Sequence, residues 1–282
     1  MDELLNALVQ AGLLDADTAG VLRQTLTTDG ARAWAENYLA QHLGGALTAQ
    51  QSRLVDFLRQ ENFSPGAASW NRWWRQEDDR LAQTMVDAFR RVGANRVAAA
   101  AITADSWATW NKLNRDVDEW VNGYYTSVDA QMVGSVPNLN QTAREQVREA
   151  FVRWTRGGLD WQPDEQGLPF LIQQLEPVFG PMRARRIAVT ETTRIFTEGE
   201  RLVNDADEAV EGYRWLTVAD EQVCPTCGPL HGLVRQKDSS FVHPTMGNVS
   251  DPPAHVNCRC AMTPESGATQ RYALLRTWQG AG

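Results

Sequence analysis

Across the first two-thirds of the chain, hydrophobic positions recur every three or four residues, the spacing that lines one face of a helix. Leu4, Leu5, Leu8 and Val9 before Gly12, and Val21, Leu22, Thr25 and Leu26 after it, predict two short helices. Thr48-Ala49-Gln50-Gln51 has the form of a capping box, so a helix is expected to open there with Leu54, Phe57 and Leu58 on its buried face. Ser64-Pro65 predicts a further start. Leu81, Met85, Phe89 and Val92, and then Trp110, Leu113, Val117, Trp120, Tyr124 and Val128, predict long helices. Gly134, Pro137 and Asn138 interrupt the pattern before a helix expected over about 141–154, and Gly157, Gly158 and Pro163 predict a loop. A short helix with Phe170, Leu171 and Leu175 should end before Pro177, and a longer one should run from Pro181 past Leu202.

Near residue 210 the period changes. Tyr213-Arg214-Trp215-Leu216-Thr217-Val218 alternates and is rich in aromatic and β-branched residues, which predicts a strand. Pro225, Gly228, Pro229, Gly232, Pro244, Gly247, Pro252 and Pro253 then exclude helices. The expected fold class is mainly α: a multi-helix body over about 1–135 and beyond, followed by a small β and loop module (α+β) near 211–264 and a tail at 266–282. The longest aliphatic run, Val97 to Ile102, is far short of the roughly 18 to 20 apolar residues a bilayer helix needs, so no membrane span is expected.

Composition narrows the function classes. The chain has 282 residues, 43% hydrophobic and 22% charged, an ordinary globular balance that accommodates one large domain or two modest ones. Its net charge of −8 disfavours coating nucleic acid through bulk charge, and the acidic start Met1-Asp2-Glu3 is unlike a secretion signal, pointing to cytoplasm. Eleven tryptophans lean toward extensive packing or partner docking. Trp70, Trp73 and Trp74 fall on one predicted helix beside Arg72 and Arg75; adjacent Trp73 and Trp74 do not both fit one narrow core stripe, which makes these three candidate partner contacts, with core packing in a bundle as the preferred reading. Arg183, Arg185, Arg186 and Arg194 make the helix from Pro181 locally basic, either a contact for DNA or an acidic partner, or a solvated face. Glu191 stands three residues before Arg194, which allows a pair on one helical face.

The chemistry concentrates in one window. All four cysteines, Cys224, Cys227, Cys258 and Cys260, lie within 37 residues, together with His231, His243 and His255. Cys224-Pro225-Thr226-Cys227 has the two-residue gap that turns both thiolates toward one ion, and His255 with Cys258 and Cys260 forms a second group beginning 28 residues after Cys227. Soft thiolates with an imidazole select Zn2+, and a structural ion would hold a module too small to sustain a large core. The preferred ligands are Cys224, Cys227, His255 and Cys260, with all four cysteines next; His231 and His243 read as hydrogen-bonded or surface histidines. Two disulfides conflict with a cytoplasmic chain. A redox Cys-x-x-Cys would open a helix, whereas Gly228-Pro229 follows here. A zinc deaminase needs a glutamate two residues after its histidine, and none is present.

In order along the chain, Arg186-Ile187-Ala188-Val189-Thr190-Glu191-Thr192-Thr193-Arg194, Tyr213-Arg214-Trp215, Asp220, Cys224-Pro225-Thr226-Cys227, Leu230-His231-Gly232, Pro252-Pro253-Ala254-His255 and Cys258-Arg259-Cys260 resemble the phage head morphogenesis family of Mu F-like minor capsid proteins. The resemblance covers about 140–265, leaving 1–135 as a helical N-terminal domain without a comparable motif. It implies a non-enzymatic tailed-phage virion component inside the head at the portal vertex, made in host cytoplasm. Its implied partners are the portal protein and, further, the major capsid or scaffolding protein and packaged DNA. It also implies roles in head assembly, DNA packaging and ejection. Some members carry a C-terminal toxin or ADP-ribosyltransferase domain, for which the 22 residues after Cys260 leave no room. Two other classes compete. A metal-dependent hydrolase would keep an open coordination position, which a thiolate-rich set disfavours. A zinc-ribbon nucleic-acid binder would be basic, whereas Glu211 to Pro264 carries Arg214, Arg235, Lys237 and Arg259 against Glu211, Asp220, Glu221, Asp238 and Asp251, a net of −1.

Overall fold

A computed structural model describes residues 9–10, 28–103, 107–125, 136–156, 164–205, 207–217 and 225–266. Seven helices are described: α1 (Thr28–Gln60), α2 (Ala67–Thr103), α3 (Trp107–Tyr125), α4 (Val136–Arg156), α5 (Leu168–Gln174), α6 (Glu176–Phe179) and α7 (Pro181–Asp205). Strands β1 (Val210–Leu216), β2 (Val234–Gln236), β3 (Phe241–His243), β4 (Gly247–Val249) and β5 (Ala261–Ser266) follow, with a 3-10 turn at Gly228–Leu230. The mainly helical class with a small C-terminal strand and loop region is as expected. Apart from residues 9–10, which are helical, the two short N-terminal helices and the 157–163 loop lie outside the described residues. No helix among the described residues is long and apolar enough to cross a membrane.

The chain divides into two compact units, one from Ala33–Arg91 and Asp118–Ala188, the other from Met1–Arg32, Val92–Val117 and Val189–Gly282. In the first, Leu39, Leu43, Leu47, Leu54 and Leu58 of α1 are buried, and the helix continues straight through Thr48. The expected start at Thr48 is therefore corrected: an apolar stripe at four-residue spacing extends on both sides of it, and Gln51 donates to Ile172 O (3.3 Å) instead of reaching back to a cap. The 136–156 helix begins earlier than expected because Pro137, in its first turn, has no amide to leave unpaired. A buried Glu77 receives both Nε (2.8 Å) and a terminal nitrogen (2.6 Å) of Arg53, which ties α1 to α2.

Trp73 and Trp74 are both buried, in line with core packing. Two neighbours on a helix differ by about 100° in direction, and α2 has cover over that whole arc. Trp73 packs on Phe57 (5.7 Å) and Trp70 (6.1 Å), while Trp74 lies under the Arg144 guanidinium (5.4 Å). Trp70 is half-buried against Phe57 and Phe151.

In the second unit, β1 is the centre of an antiparallel sheet of order β2-β1-β5, in which Tyr213 pairs with Arg235 and Trp215 with Met262. A bulge interrupts the β1–β5 ladder at Val210/Gly212. A Cβ on Gly212 would stand 2.1 Å from Arg235 O, so only glycine allows β2 this close. β3 and β4 form a separate hairpin whose His243–Gly247 end turns on Gly247 (φ 75°). Tyr213, Trp215, Leu230, Phe241, Val249 and Met262 pack into one core with Cys227, Cys258 and Cys260. Arg235 is buried in its wall, over Tyr213 (4.9 Å) and Phe241 (5.5 Å), and its charge is met by Asp251 (2.6 Å).

Candidate metal centre

Cys227 ends a turn and caps the 3-10 helix, where its carbonyl accepts Leu230 N–H (3.0 Å) and buried Leu230 anchors the turn in the core. The opposite wall is the loop from His255 to Cys260. Cys258 N–H donates to His255 O (3.2 Å), closing a turn that requires Asn257 in the left-handed region (φ 69°). That turn brings the two elements together: Cys227 Sγ lies 2.9 Å from His255 Nε2 and 3.7 Å from Cys258 Sγ. One donor atom from each of Cys227, His255 and Cys258 falls within 4.8 Å of the others.

These separations can be tested against an ion. Two thiolates about 2.3 Å from tetrahedral zinc stand about 3.8 Å apart, close to the 3.7 Å observed, whereas a disulfide would need about 2.05 Å. The described cysteines, Cys227, Cys258 and Cys260, are free thiols. A sulfur and an imidazole nitrogen on the same ion stand about 3.5 Å apart, so half-buried His255 would move outward by about 0.6 Å. Its orientation already suits ligation: with Nδ1–H donated to Val256 O (2.7 Å), the neutral ring keeps the Nε2 lone pair toward Cys227.

The thiols share protons unevenly. Hydrogen bonds from Cys227 and Cys260 stabilise the Cys258 thiolate and hold its pKa well below the ordinary thiol range, helped by backbone N–H groups of Cys260 and Ala254. The Cys227 thiol is pushed up, first by hydrogen bonding to Cys258, then to Cys260, then by burial. For Cys260, hydrogen bonding to Cys227 lowers the pKa, but the Cys258 interaction and burial outweigh it and raise it to about 12. The Trp215 indole N–H, otherwise without a partner in the core, also favours the Cys260 thiolate. A dication would reverse this sharing by replacing the protons with one positive centre.

Residues 166–263 match the family model described as Phage Mu protein F like protein. Over this segment the chain is similar to Phage Mu F-like proteins. The matched span takes in α5–α7, β1–β4, the first half of β5 and every described candidate ligand, and starts later than the 140 expected from motifs. No curated protein and no solved structure matches the chain.

Within the matched segment the remaining candidates separate by environment. Cys258, placed behind Cys260 by sequence reasoning, is the thiol grouped with Cys227 and His255, and Cys260 is buried beside them. Cys224 lies outside the described residues. His231 is exposed and accepts Thr217 N–H through Nδ1 (3.2 Å). His243 is buried: Nε2–H donates to Thr226 O (2.8 Å), while Nδ1 accepts Thr245 N–H (3.1 Å) and Met246 N–H (3.0 Å). It thereby pins the residue before Cys227 to the β3–β4 hairpin, a support for the centre that no spacing signal revealed.

The arginines of α7 are largely engaged by the protein itself. Arg183 donates to Val178 O and Leu139 O (both 2.9 Å), and burial lowers its pKa to about 10. Arg185 meets Glu36 (3.0 Å) and Asn37 (2.8 Å), and Arg186 is exposed. Arg194 donates to Glu191 (3.0 Å), which is buried, so this pair belongs to the interior and not to the surface.

Proposed function

We propose that this protein is a minor head component of a tailed phage, without catalytic activity, in which a structural zinc ion rigidifies the C-terminal module as a docking surface. The observation that carries the reading is the Cys227, His255 and Cys258 cluster inside the Mu F-like segment. Cys260 or Cys224 would complete the four ligands. A shell closed by thiolates supports structure, because catalytic zinc keeps a position for water. The ion, when bound, supplies charge neutralisation and a tetrahedral tie between the 225–230 turn and the 255–260 loop.

The portal protein is the proposed partner inside the head, with head assembly and DNA packaging or ejection as the process and the virion as the final location. Major capsid or scaffolding protein and packaged DNA are secondary contacts. Direct nucleic-acid recognition by the module has less support, since Arg214, Arg235 and Lys237 are internally engaged. Arg214 pairs with Glu265 (2.6 Å), Arg235 with Asp251, and Lys237 donates to Asp207 O (2.8 Å). Co-expression with the portal protein of the same phage tests the reading. Co-purification of the two, lost when Cys227 and Cys258 are replaced by serine, is the expected result. A metal-dependent hydrolase turnover by the isolated protein contradicts it.

A further inference from the structure

Polar side chains are packed into the part of α7 that faces the 257–259 loop. Thr190 and Thr193 are buried and three residues apart, so their hydroxyls lie on one helical face. Thr190 Oγ1 accepts the Asn257 N–H (2.9 Å), and Thr193 Oγ1 donates to Cys258 O (2.6 Å). Arg32, at the start of α1, donates to Thr193 Oγ1 through one terminal nitrogen and to Arg259 O (3.0 Å) through the other. Three successive loop residues are thus held through their backbone by side chains more than 60 positions away in sequence.

We infer that Thr190, Thr193 and Arg32 are positioning residues of the metal centre, fixing the left-handed Asn257 turn that aims Cys258 at Cys227 and so setting how tightly the ion is retained. The inference rests on the zinc reading above and gives the threonine-rich stretch of α7 a role that reading does not contain. The physical reason is preorganisation. A ligand loop held at its own backbone does not have to be ordered when the ion arrives, and its thiolate cannot swing away as easily while the ion is bound. Arg32 reinforces the arrangement because its charged donor polarises the Thr193 hydroxyl, which strengthens that hydroxyl's bond to Cys258 O. Because the same three side chains bridge α1 and α7 to the loop, ordering of the start of α1 and metal retention are coupled in both directions.

The test is zinc release from the full chain to a chromophoric chelator. Partners around metal ligands typically alter affinity 10–100-fold, so Thr193→Val should speed release by about tenfold or more, and Thr193→Ser, which restores the hydroxyl, should return it to near the parent rate. Thr197→Val, altering a buried threonine on the same helix without a hydrogen bond to the loop among the described residues, should leave release unchanged even if it lowers stability. Arg32→Met provides an independent variant if Thr193→Val fails to fold, and should accelerate release in the same direction. Parent-like release from either Thr193→Val or Arg32→Met, in a protein whose parent binds zinc, overturns the inference and spares the zinc reading. A parent that takes up no zinc overturns both.

Discussion

Withdrawing the metal should unfold one part of this protein selectively. The proposed ion joins the 225–230 turn to the 255–260 loop, and the three cysteines it gathers or adjoins are also members of the module's core. Free zinc at about a thousand times its dissociation constant adds about 4 kcal/mol to the stability of the state that binds it. In a domain of about 60 residues each kcal/mol moves the midpoint by about 4–8 °C, so chelation should lower the module's melting temperature by roughly 15–30 °C. Hydrogen exchange resolved by peptide is the assay. Amides of β1, β2 and β5, which make the central ladders, should lose protection on chelation. Peptides from α1 and α2 between Ala33 and Arg91 should not, because no candidate ligand lies in that unit. The sign of the pH dependence follows from the thiols. Cys227 is raised in the metal-free fold, so binding must displace at least its proton and affinity must fall as pH falls. Unchanged protection of the three strands after verified metal removal would refute the reasoning.

Two further outcomes follow from groups around the centre. Burial, with a hydrogen bond to Asp205 (2.5 Å), raises the Tyr213 pKa above its ordinary value. A raised acid keeps its proton longer in the folded than in the unfolded chain, so this contribution is complete below the unfolded value of about 10 and is lost as pH rises above it. Tyr213→Phe should flatten the alkaline loss of stability in a pH series of thermal melts. His243→Ala removes three hydrogen bonds to backbone groups, at about 1 kcal/mol each, and should cost the module about 3 kcal/mol in denaturant unfolding, with faster exchange at Met246 and in the Cys227 turn.

Much of this architecture is legible in residue spacing, because periodicity reports burial directly. The strand around Trp215 and the helix from Pro181 are read correctly for that reason. The capping-box reading at Thr48 fails because the four residue types of a helix start also fit a helix interior, and only the leucines on both sides distinguish the two. For Trp73 and Trp74 the preferred core-packing reading agrees with their burial, while the number of neighbours around α2 that makes it possible is not visible in sequence. At the centre, Cys227 and His255 are visible from chemistry and spacing. Alternation along an extended segment puts Cys258 and Cys260 on one face; Cys258, directly after the left-handed Asn257 turn, is grouped with Cys227 and His255, and Cys260 is buried beside them. Thr190, Thr193 and His243 were not legible as supports, since each acts through a backbone group that only the tertiary fold brings near.

X-ray absorption at the zinc edge of the purified full chain tests the central claim most directly. The account expects about one zinc per chain, sulfur neighbours at about 2.3 Å and an imidazole nitrogen at about 2.0–2.1 Å, with Cys258→Ser lowering the sulfur count or abolishing the signal. Protein that folds with its thiols joined to one another, or without any bound metal, would contradict it.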